Sequence, residues 1–157
     1  MRIDDAADEC EQSSASPRAA GGKPAQDVIL FLCGHNAGRS IMAEAWFNAH
    51  NRNPAVRAVS AGTEPATEIN PEVRRVLEEH HIAIGGLGPK MLTADILNGV
   101  SGVYTMGCNV STDDVPPAKL RGDLGIDDPH RQDRAAVRHI FDTLKQRLEP
   151  LLEHFNS

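Results

Sequence analysis

Cys33 and Arg39 are separated by five residues, and Ser40 follows directly. A cysteine attacks as its thiolate, and the pKa of a thiol falls beside a cation or at a helix N-terminus. The planar guanidinium of an arginine can donate two parallel hydrogen bonds to neighbouring oxygens of an anion. The hydroxyl of Ser40 can donate to the thiolate and favour its charged form. This spacing predicts a site at which Cys33 attacks a bound tetrahedral oxyanion.

The intervening loop has the composition of an anion cradle: Gly34, His35, Asn36, Ala37 and Gly38. Two glycines let the backbone curl until successive N–H groups point inward, and the following helix adds its positive end. We therefore expect residues 34–39 to bind the oxyanion, with Asn36 bridging loop backbone groups. The alternative is a buried structural cysteine in a strand-to-helix turn, which is favoured for a cysteine alone. The Cys, Arg and Ser spacing between a strand and a helix favours the functional interpretation.

The elements around this loop predict its position in a sheet. Val28 to Leu32 is a continuous apolar run typical of a central parallel strand, and good helix formers follow Ser40. A second strand is expected from Val56 to Val59, running into Gly62. Strand and helix alternate along the chain, so we predict an α/β fold with a parallel sheet and right-handed crossovers. Such folds bind ligands beyond the carboxyl ends of their strands, where Cys33 lies.

The remaining elements follow from caps and periodicity. A helix is expected from Asn70-Pro71 to about Ile82, a short helix from Thr93, and a third strand from Gly102 to Met106. An irregular segment then leads to a short stretch from Leu124 to Ile126. A final amphipathic helix is expected from Gln132, with apolar positions at Ala135, Val137, Ile140, Leu144, Leu148 and Leu151.

Composition bounds the class of protein. The 157 residues fit one domain at 27–157, preceded by a disordered or flexible N-terminal extension at 1–26 that contains the cluster SSASPRAAGGKPAQ and has no apolar period. The net charge of −6 argues against a nucleic-acid partner. No apolar run reaches membrane-spanning length, and the acidic start is unlike a signal peptide. Three irregularly spaced cysteines do not form a disulfide framework. We therefore expect a soluble cytoplasmic protein.

The segment CGHNAGRSIMAEAWF resembles the signature of the low-molecular-weight phosphotyrosine phosphatase superfamily, and most closely its arsenate reductase branch. Ser60-Ala61-Gly62-Thr63, Asn70-Pro71, the stretch 103–108 and Asp127-Asp128-Pro129 follow in the family's order. The resemblance covers nearly all of residues 27–155. It implies a four-stranded parallel sheet flanked by helices, with the site at the carboxyl edge.

The resemblance also implies a general acid at Asp128, the aspartate directly before Pro129. A carboxylic acid over the pocket can protonate the oxygen that departs as the thiolate attacks. The alternative is a turn-capping aspartate before a proline, a common use of Asp-Pro. Asp127 is the second choice for the acid.

The type of oxyanion chemistry depends on further thiols. Thioredoxin-coupled members of the branch relay a disulfide through two cysteines seven residues apart, and Cys108 matches the first of them. The second position holds Val115, and Cys10 lies in the extension. We therefore expect no tightly bound cofactor and an external thiol reductant: mycothiol, glutathione with glutaredoxin, or thioredoxin. Cys108 is either a resolving thiol or a small core residue at a strand end.

Two alternatives to arsenate reduction stay open, a phosphotyrosine or phosphomonoester phosphatase and an oxyanion-binding regulatory module without turnover. The phosphatase branch usually has an aromatic pair after Asp-Pro, where this chain has His130 and Arg131. Tyr104 and Trp46 are expected in the core. The missing aromatic walls favour a small inorganic substrate. Gly34 and Val115 are weak indications of a module without turnover.

We predict that activity does not depend on potassium. Some relatives bind potassium near the loop at positions matching Asn36, Glu44 and Ser60, and the remaining acidic position falls near Lys90, whose ammonium can replace the cation. No other metal site is expected, because His80 and His81 have no ligand partners at suitable spacing. Equal turnover in potassium and sodium chloride is the expected result, and a steep rise with potassium would contradict it.

Overall fold

The computed structural model describes residues 27–107 and 111–156. The expected extension at 1–26, with Cys10, and Cys108, for which a resolving thiol and a core residue were both left open, lie outside these ranges. The elements, in chain order, are β1 (Asp27–Cys33), α1 (Arg39–His50), β2 (Val56–Gly62), α2 (Pro71–Glu79), α3 (Ala94–Gly99), β3 (Gly102–Thr105), β4 (Leu120–Asp123) and α4 (Arg134–Asn156).

The strands form one sheet in the order β2-β1-β3-β4, and each neighbouring pair is parallel. The prediction of a four-stranded parallel sheet is confirmed. β1 is central, and its alternate residues enter different clusters. Ile29 and Phe31 pack with residues of α1, α2 and α4, whereas Leu30 and Leu32 pack with Leu97 and neighbours. This burial on both faces explains why the strand is apolar throughout.

The carboxyl ends of the three adjacent strands meet at one edge of the sheet. Cys33 is paired with Gly62, and Leu32 is paired with Thr105. Strand direction and register therefore place Cys33 in the middle of this edge, between the loops that follow β2 and β3. The position predicted for a ligand site in a parallel sheet is the position that Cys33 occupies.

One strand was not identified from the sequence, and one predicted helix end is wrong. β4 is formed by Leu120–Asp123, directly before the stretch at Leu124 to Ile126, and it lacks an apolar signature because an edge strand faces solvent. The stretch itself continues beside the end of β3, where Ile126 N donates to Met106 O at 2.7 Å. α2 ends at Glu79 instead of about Ile82, and His81 beyond it has a left-handed φ of 58°.

The last helix begins at Arg134 instead of Gln132 and follows most of its predicted apolar stripe. Val137, Ile140, Leu144 and Leu148 are buried, Leu151 is half-buried and Ala135, in the first turn, is exposed. Its first turn is capped by Asp133, whose Oδ1 accepts from Ala136 N at 2.8 Å. Two hydrogen-bonded ion pairs connect α4 to α2. Arg134 Nε donates to Glu72 Oε1 at 3.0 Å, and Arg138 Nε donates to Glu79 Oε1 at 2.9 Å. Within the described residues, no helix has the length and apolarity needed to cross a membrane.

Candidate active site

The sulfur of Cys33 lies at the end of β1 and is held by two donors. Cys33 is buried, with 2% of its surface exposed. Asn36 N donates to Sγ at 3.2 Å, and Ser40 Oγ lies 2.8 Å from Sγ. Asn36 Nδ2 in turn donates to Ser40 Oγ at 2.7 Å, which leaves the serine proton free to point at the sulfur. Both donors stabilise negative charge on Sγ, the form that attacks.

Asn36 is fixed at both ends of its amide. The residue is fully buried, and its Oδ1 accepts from Lys90 N at 2.7 Å. Because Oδ1 is engaged by a backbone N–H, Nδ2 must face Ser40. The backbone at Asn36 is left-handed, with φ of 50°, a conformation that asparagine tolerates better than most residues. The predicted role of Asn36 in holding the loop's curl agrees with these contacts.

The loop turns its carbonyl groups outward. The carbonyl oxygens of Cys33, Gly34, His35 and Ala37 accept from backbone N–H groups at positions 63, 64, 66 and 70, at 2.8 to 3.2 Å. The chain has no cis peptide bonds among its described residues, and in a trans peptide the N–H points opposite to the C=O. The N–H groups of residues 34, 35, 36 and 38 therefore point inward, as an anion nest requires.

Arg39 begins α1 directly after this loop and is 7% exposed. Its Nη1 donates to Ile126 O at 3.2 Å, which ties the guanidinium to the segment after β4. Arg39 also lines the cavity that contains Cys33. The structure thus brings together the thiol, the inward N–H groups and a fixed guanidinium, an arrangement that can bind the oxygens of a tetrahedral anion.

The cavity above the loop has a volume of about 640 Å³, and Asp128 is part of its wall whereas Asp127 is not. Pro129 packs against the loop so closely that a Cβ at Gly38 would lie 2.5 Å from its Cγ. Asp128 Oδ1 accepts from His130 N at 2.9 Å. The contact between Pro129 and the loop therefore places Asp128, rather than Asp127, at the mouth of the cavity.

Glu44 lies behind the loop and is buried, with 8% of its surface exposed. Ser60 Oγ donates to Glu44 Oε1 at 2.5 Å, and Lys90 Nζ lies 3.9 Å from the same oxygen. Burial raises the pKa of Glu44 above its ordinary value, against the opposing effects of Ser60, Lys90 and Arg57. The position of the Lys90 ammonium is consistent with potassium independence, which stays a prediction.

Two features of the site were not anticipated from the sequence. The segment 63–70 supplies the N–H groups that orient the loop, and Gly62 must be a glycine because a Cβ there would lie 2.5 Å from Gly34 O. In the sequence, the stretch Ser60-Ala61-Gly62-Thr63 was the signal that could have indicated this contact.

Val115, at the position expected for a second relay cysteine, is buried beside Leu30 and Val103. Within residues 27–107 and 111–156, no three His, Cys, Asp or Glu side chains are grouped for a metal ion.

We predict that Gly62→Ala destroys anion binding at the loop. The added methyl group would meet backbone at Gly34 and the Cβ of Asn36 at 2.9 Å, neither of which can move without opening the nest. Protection of Cys33 from iodoacetamide by phosphate or arsenate measures binding. Gly85→Ala is the matched control, because nothing lies within 4 Å of a Cβ at that position. Full protection in the Gly62 variant would contradict the prediction.

We predict that Glu44→Gln changes the pH dependence of stability. A carboxyl whose pKa is raised by folding contributes stability at low pH that is lost as the pH rises through the raised value. The wild type should therefore lose free energy of unfolding relative to the variant as the pH rises from about 4.5. Urea unfolding at several pH values measures this difference. A difference that does not change with pH would contradict the burial effect.

Comparisons with known proteins agree with this geometry. Residues 28–157 match the family model described as low molecular weight phosphotyrosine protein phosphatase. An arsenate reductase of Bacillus subtilis (strain 168) is 31% identical over 135 residues, covering 80% of this chain and 95% of the relative. An arsenate reductase of Brevibacillus brevis is 31% identical over 128 residues, covering 80% of this chain and 94% of the relative.

Solved structures share the fold. A thioredoxin-dependent arsenate reductase of Corynebacterium glutamicum is 33% identical with a TM-score of 0.69, covering 84% of this chain and 62% of that one. A low molecular weight protein tyrosine phosphatase from T. tengcongensis has a TM-score of 0.74 at 24% identity, covering 82% of this chain and 99% of that one. The family match over residues 28–157, together with the fold and the Cys33 loop, shows that this chain belongs to the low molecular weight phosphotyrosine protein phosphatase family.

Proposed function

We propose that this protein reduces arsenate to arsenite with an external thiol. The observation that carries the proposal is the Cys33 sulfur, held by Asn36 N and Ser40 Oγ in a cavity that also contains Arg39 and Asp128. Among the described residues, the cavity wall contains no Phe, Tyr or Trp that could hold a phosphotyrosine ring. Relatives 30 to 31% identical to this chain are named as arsenate reductases, which favours the reductase branch.

The first step is attack by the Cys33 thiolate on arsenic. Arsenate binds with its oxygens on the inward N–H groups of residues 34–38 and on the guanidinium of Arg39. The sulfur then forms a bond to arsenic in line with a departing oxygen. Asp128 protonates that oxygen, which leaves as water. Ser40 donates its hydrogen bond to the sulfur again when the thiolate is regenerated.

The second step is reduction by another thiol. Its sulfur attacks Cys33 Sγ, the sulfur–sulfur bond forms, and the electron pair of the arsenic–sulfur bond stays on arsenic. Arsenic(V) becomes arsenic(III) and departs as arsenite, while the two sulfurs are oxidised to a mixed disulfide. A further thiol reduces this disulfide and restores Cys33.

An external reductant fits the residues present. The position expected for a second relay cysteine is Val115, which is 5% exposed and packed in the core. The proposed reductants are mycothiol, glutathione with glutaredoxin, or thioredoxin, and the solved Corynebacterium relative is described as thioredoxin-dependent. These thiol systems work in a reducing compartment, so we place the protein in the cytoplasm, without nucleic acid or membrane as partners. Cys108 stays a proposed resolving thiol.

A phosphomonoesterase is the second candidate function. The same thiol, guanidinium and acid suffice for it, and the volume of about 640 Å³ admits more than an inorganic anion. A binding module without turnover is the third candidate. Hydrolysis of p-nitrophenyl phosphate without thiol would favour the second, and anion binding without any product would favour the third.

We predict that Cys33→Ser abolishes thiol-dependent arsenite formation, by about 10³-fold or more, because a serine hydroxyl is a far weaker nucleophile at neutral pH. Arsenite is measured with thioredoxin, glutathione with glutaredoxin, and mycothiol, and mass spectrometry identifies the cysteine in the mixed disulfide. Cys10→Ser is the control and should retain activity. Cys108→Ser shows whether an internal thiol takes part. Substantial reduction by a folded Cys33→Ser variant would overturn the assignment.

A further inference from the structure

Two histidines face each other in the wall of the Cys33 cavity. His35 comes from the loop after β1 and His130 from the turn after Asp128-Pro129, and their ring centroids are 6.0 Å apart with the planes inclined by 48°. Both residues are exposed. Two imidazoles from segments almost a hundred residues apart in sequence thus lie in the space that a second reactant must enter.

The backbone of each histidine is fixed. His35 O accepts from Ala66 N at 2.8 Å, and the left-handed Asn36 that follows is buried while His35 is exposed. His130 N donates to Asp128 Oδ1 at 2.9 Å, and Gln132 N donates to Pro129 O at 3.0 Å, closing a turn around it. The cavity wall therefore presents both rings from anchored backbone instead of from a free loop tip.

A left-handed backbone conformation follows each of the two histidines. Among the described non-glycine residues, positive φ occurs at Asn36 (50°), His81 (58°) and Arg131 (62°). His81 follows the end of α2, where a left-handed residue is common. The other two directly follow His35 and His130. Left-handed non-glycine residues are disfavoured and are concentrated at functional sites, which makes this wall a candidate for a role in the reaction.

The second step of the proposed reaction needs a group that carries a proton. The incoming thiol must lose its proton to attack Cys33, and the departing arsenite must gain one. Arg39 and Arg131 are permanent cations, and Glu72 is paired with Arg134 at 3.0 Å. Besides Asp128, which gives up its proton in the first step, the wall contains Glu68 and the two histidines as groups that can carry a proton. Imidazole is the side chain that most readily takes and returns a proton near neutral pH.

We propose that the His35–His130 pair takes the proton of the incoming thiol and passes it to an oxygen of the departing arsenite. The thiol's sulfur forms the bond to Cys33 Sγ, and the electron pair of the arsenic–sulfur bond stays on arsenic. The proton lost by the thiol ends on an oxygen of arsenite. This inference rests on the proposed function and adds the base for its second step.

The test uses three small thiols of similar size and decreasing pKa: ethanethiol, mercaptoethanol and trifluoroethanethiol. A thiol that is already ionised at pH 8 does not need a base, whereas ethanethiol does. The full-length double variant His35→Gln with His130→Gln should lose about 10²-fold in arsenite formation with ethanethiol and far less with trifluoroethanethiol. His139→Gln, an exposed histidine of α4, is the matched control. Protection of Cys33 by arsenate should be retained in the double variant, because position 35 contributes its backbone N–H to the anion nest and the substitution keeps that group.

The outcomes separate the two proposals. An equal loss with all three thiols, or no loss, would overturn the role of the pair while leaving arsenate reduction intact. Wild-type turnover with thioredoxin but with none of the small thiols would also overturn it, because the cavity would then not admit the second reactant. No arsenite from the wild type with any thiol or with thioredoxin would overturn the proposed function and the inference together.

Discussion

The loop between Cys33 and Arg39 keeps its shape because its carbonyl groups are already engaged. Backbone N–H groups of the segment 63–70 bond to four of them, and the trans peptide geometry then forces the neighbouring N–H groups inward. Every other part of the site depends on this pattern. Gly62 permits the close approach that brings the two segments together, and parallel pairing of β1 with β2 brings Gly62 level with Cys33.

A line of polar contacts connects the sulfur to the interior behind the loop. It runs from Lys90 N to Asn36, from Asn36 to Ser40, and from Ser40 to Cys33 Sγ. Glu44 and Ser60 lie beside this line, and burial of the Glu44 carboxyl opposes its ionisation. A buried carboxyl with a raised pKa is costly to keep charged, and its contacts with Ser60 and Lys90 offset part of that cost.

The cavity wall bears on which reaction the site performs. In the proposed function the loop supplies a nucleophile and an anion cradle, which both hydrolysis of phosphate esters and reduction of arsenate can use. The opposite wall is built from Asp128, Pro129 and His130, and Pro129 is packed on Gly38. A polar, imidazole-containing wall favours a small oxyanion followed by a thiol over an aromatic phosphoester.

From the sequence one could predict the parallel α/β architecture, the central strand, the Cys33 loop and most of the stripe of α4, because each follows from a local pattern of apolar residues, glycines and caps. The count of four strands came from the family resemblance. Two features became visible only in the folded chain, namely β4 at Leu120–Asp123 and the facing rings of His35 and His130. The fold also places Asp128 rather than Asp127 in the cavity wall and Lys90 beside Glu44, as the family resemblance had implied. The physical reason is the sequence separation between the residues that come into contact. An edge strand needs no apolar signature, and contacts between distant segments arise from how the loops at the carboxyl edge pack on one another.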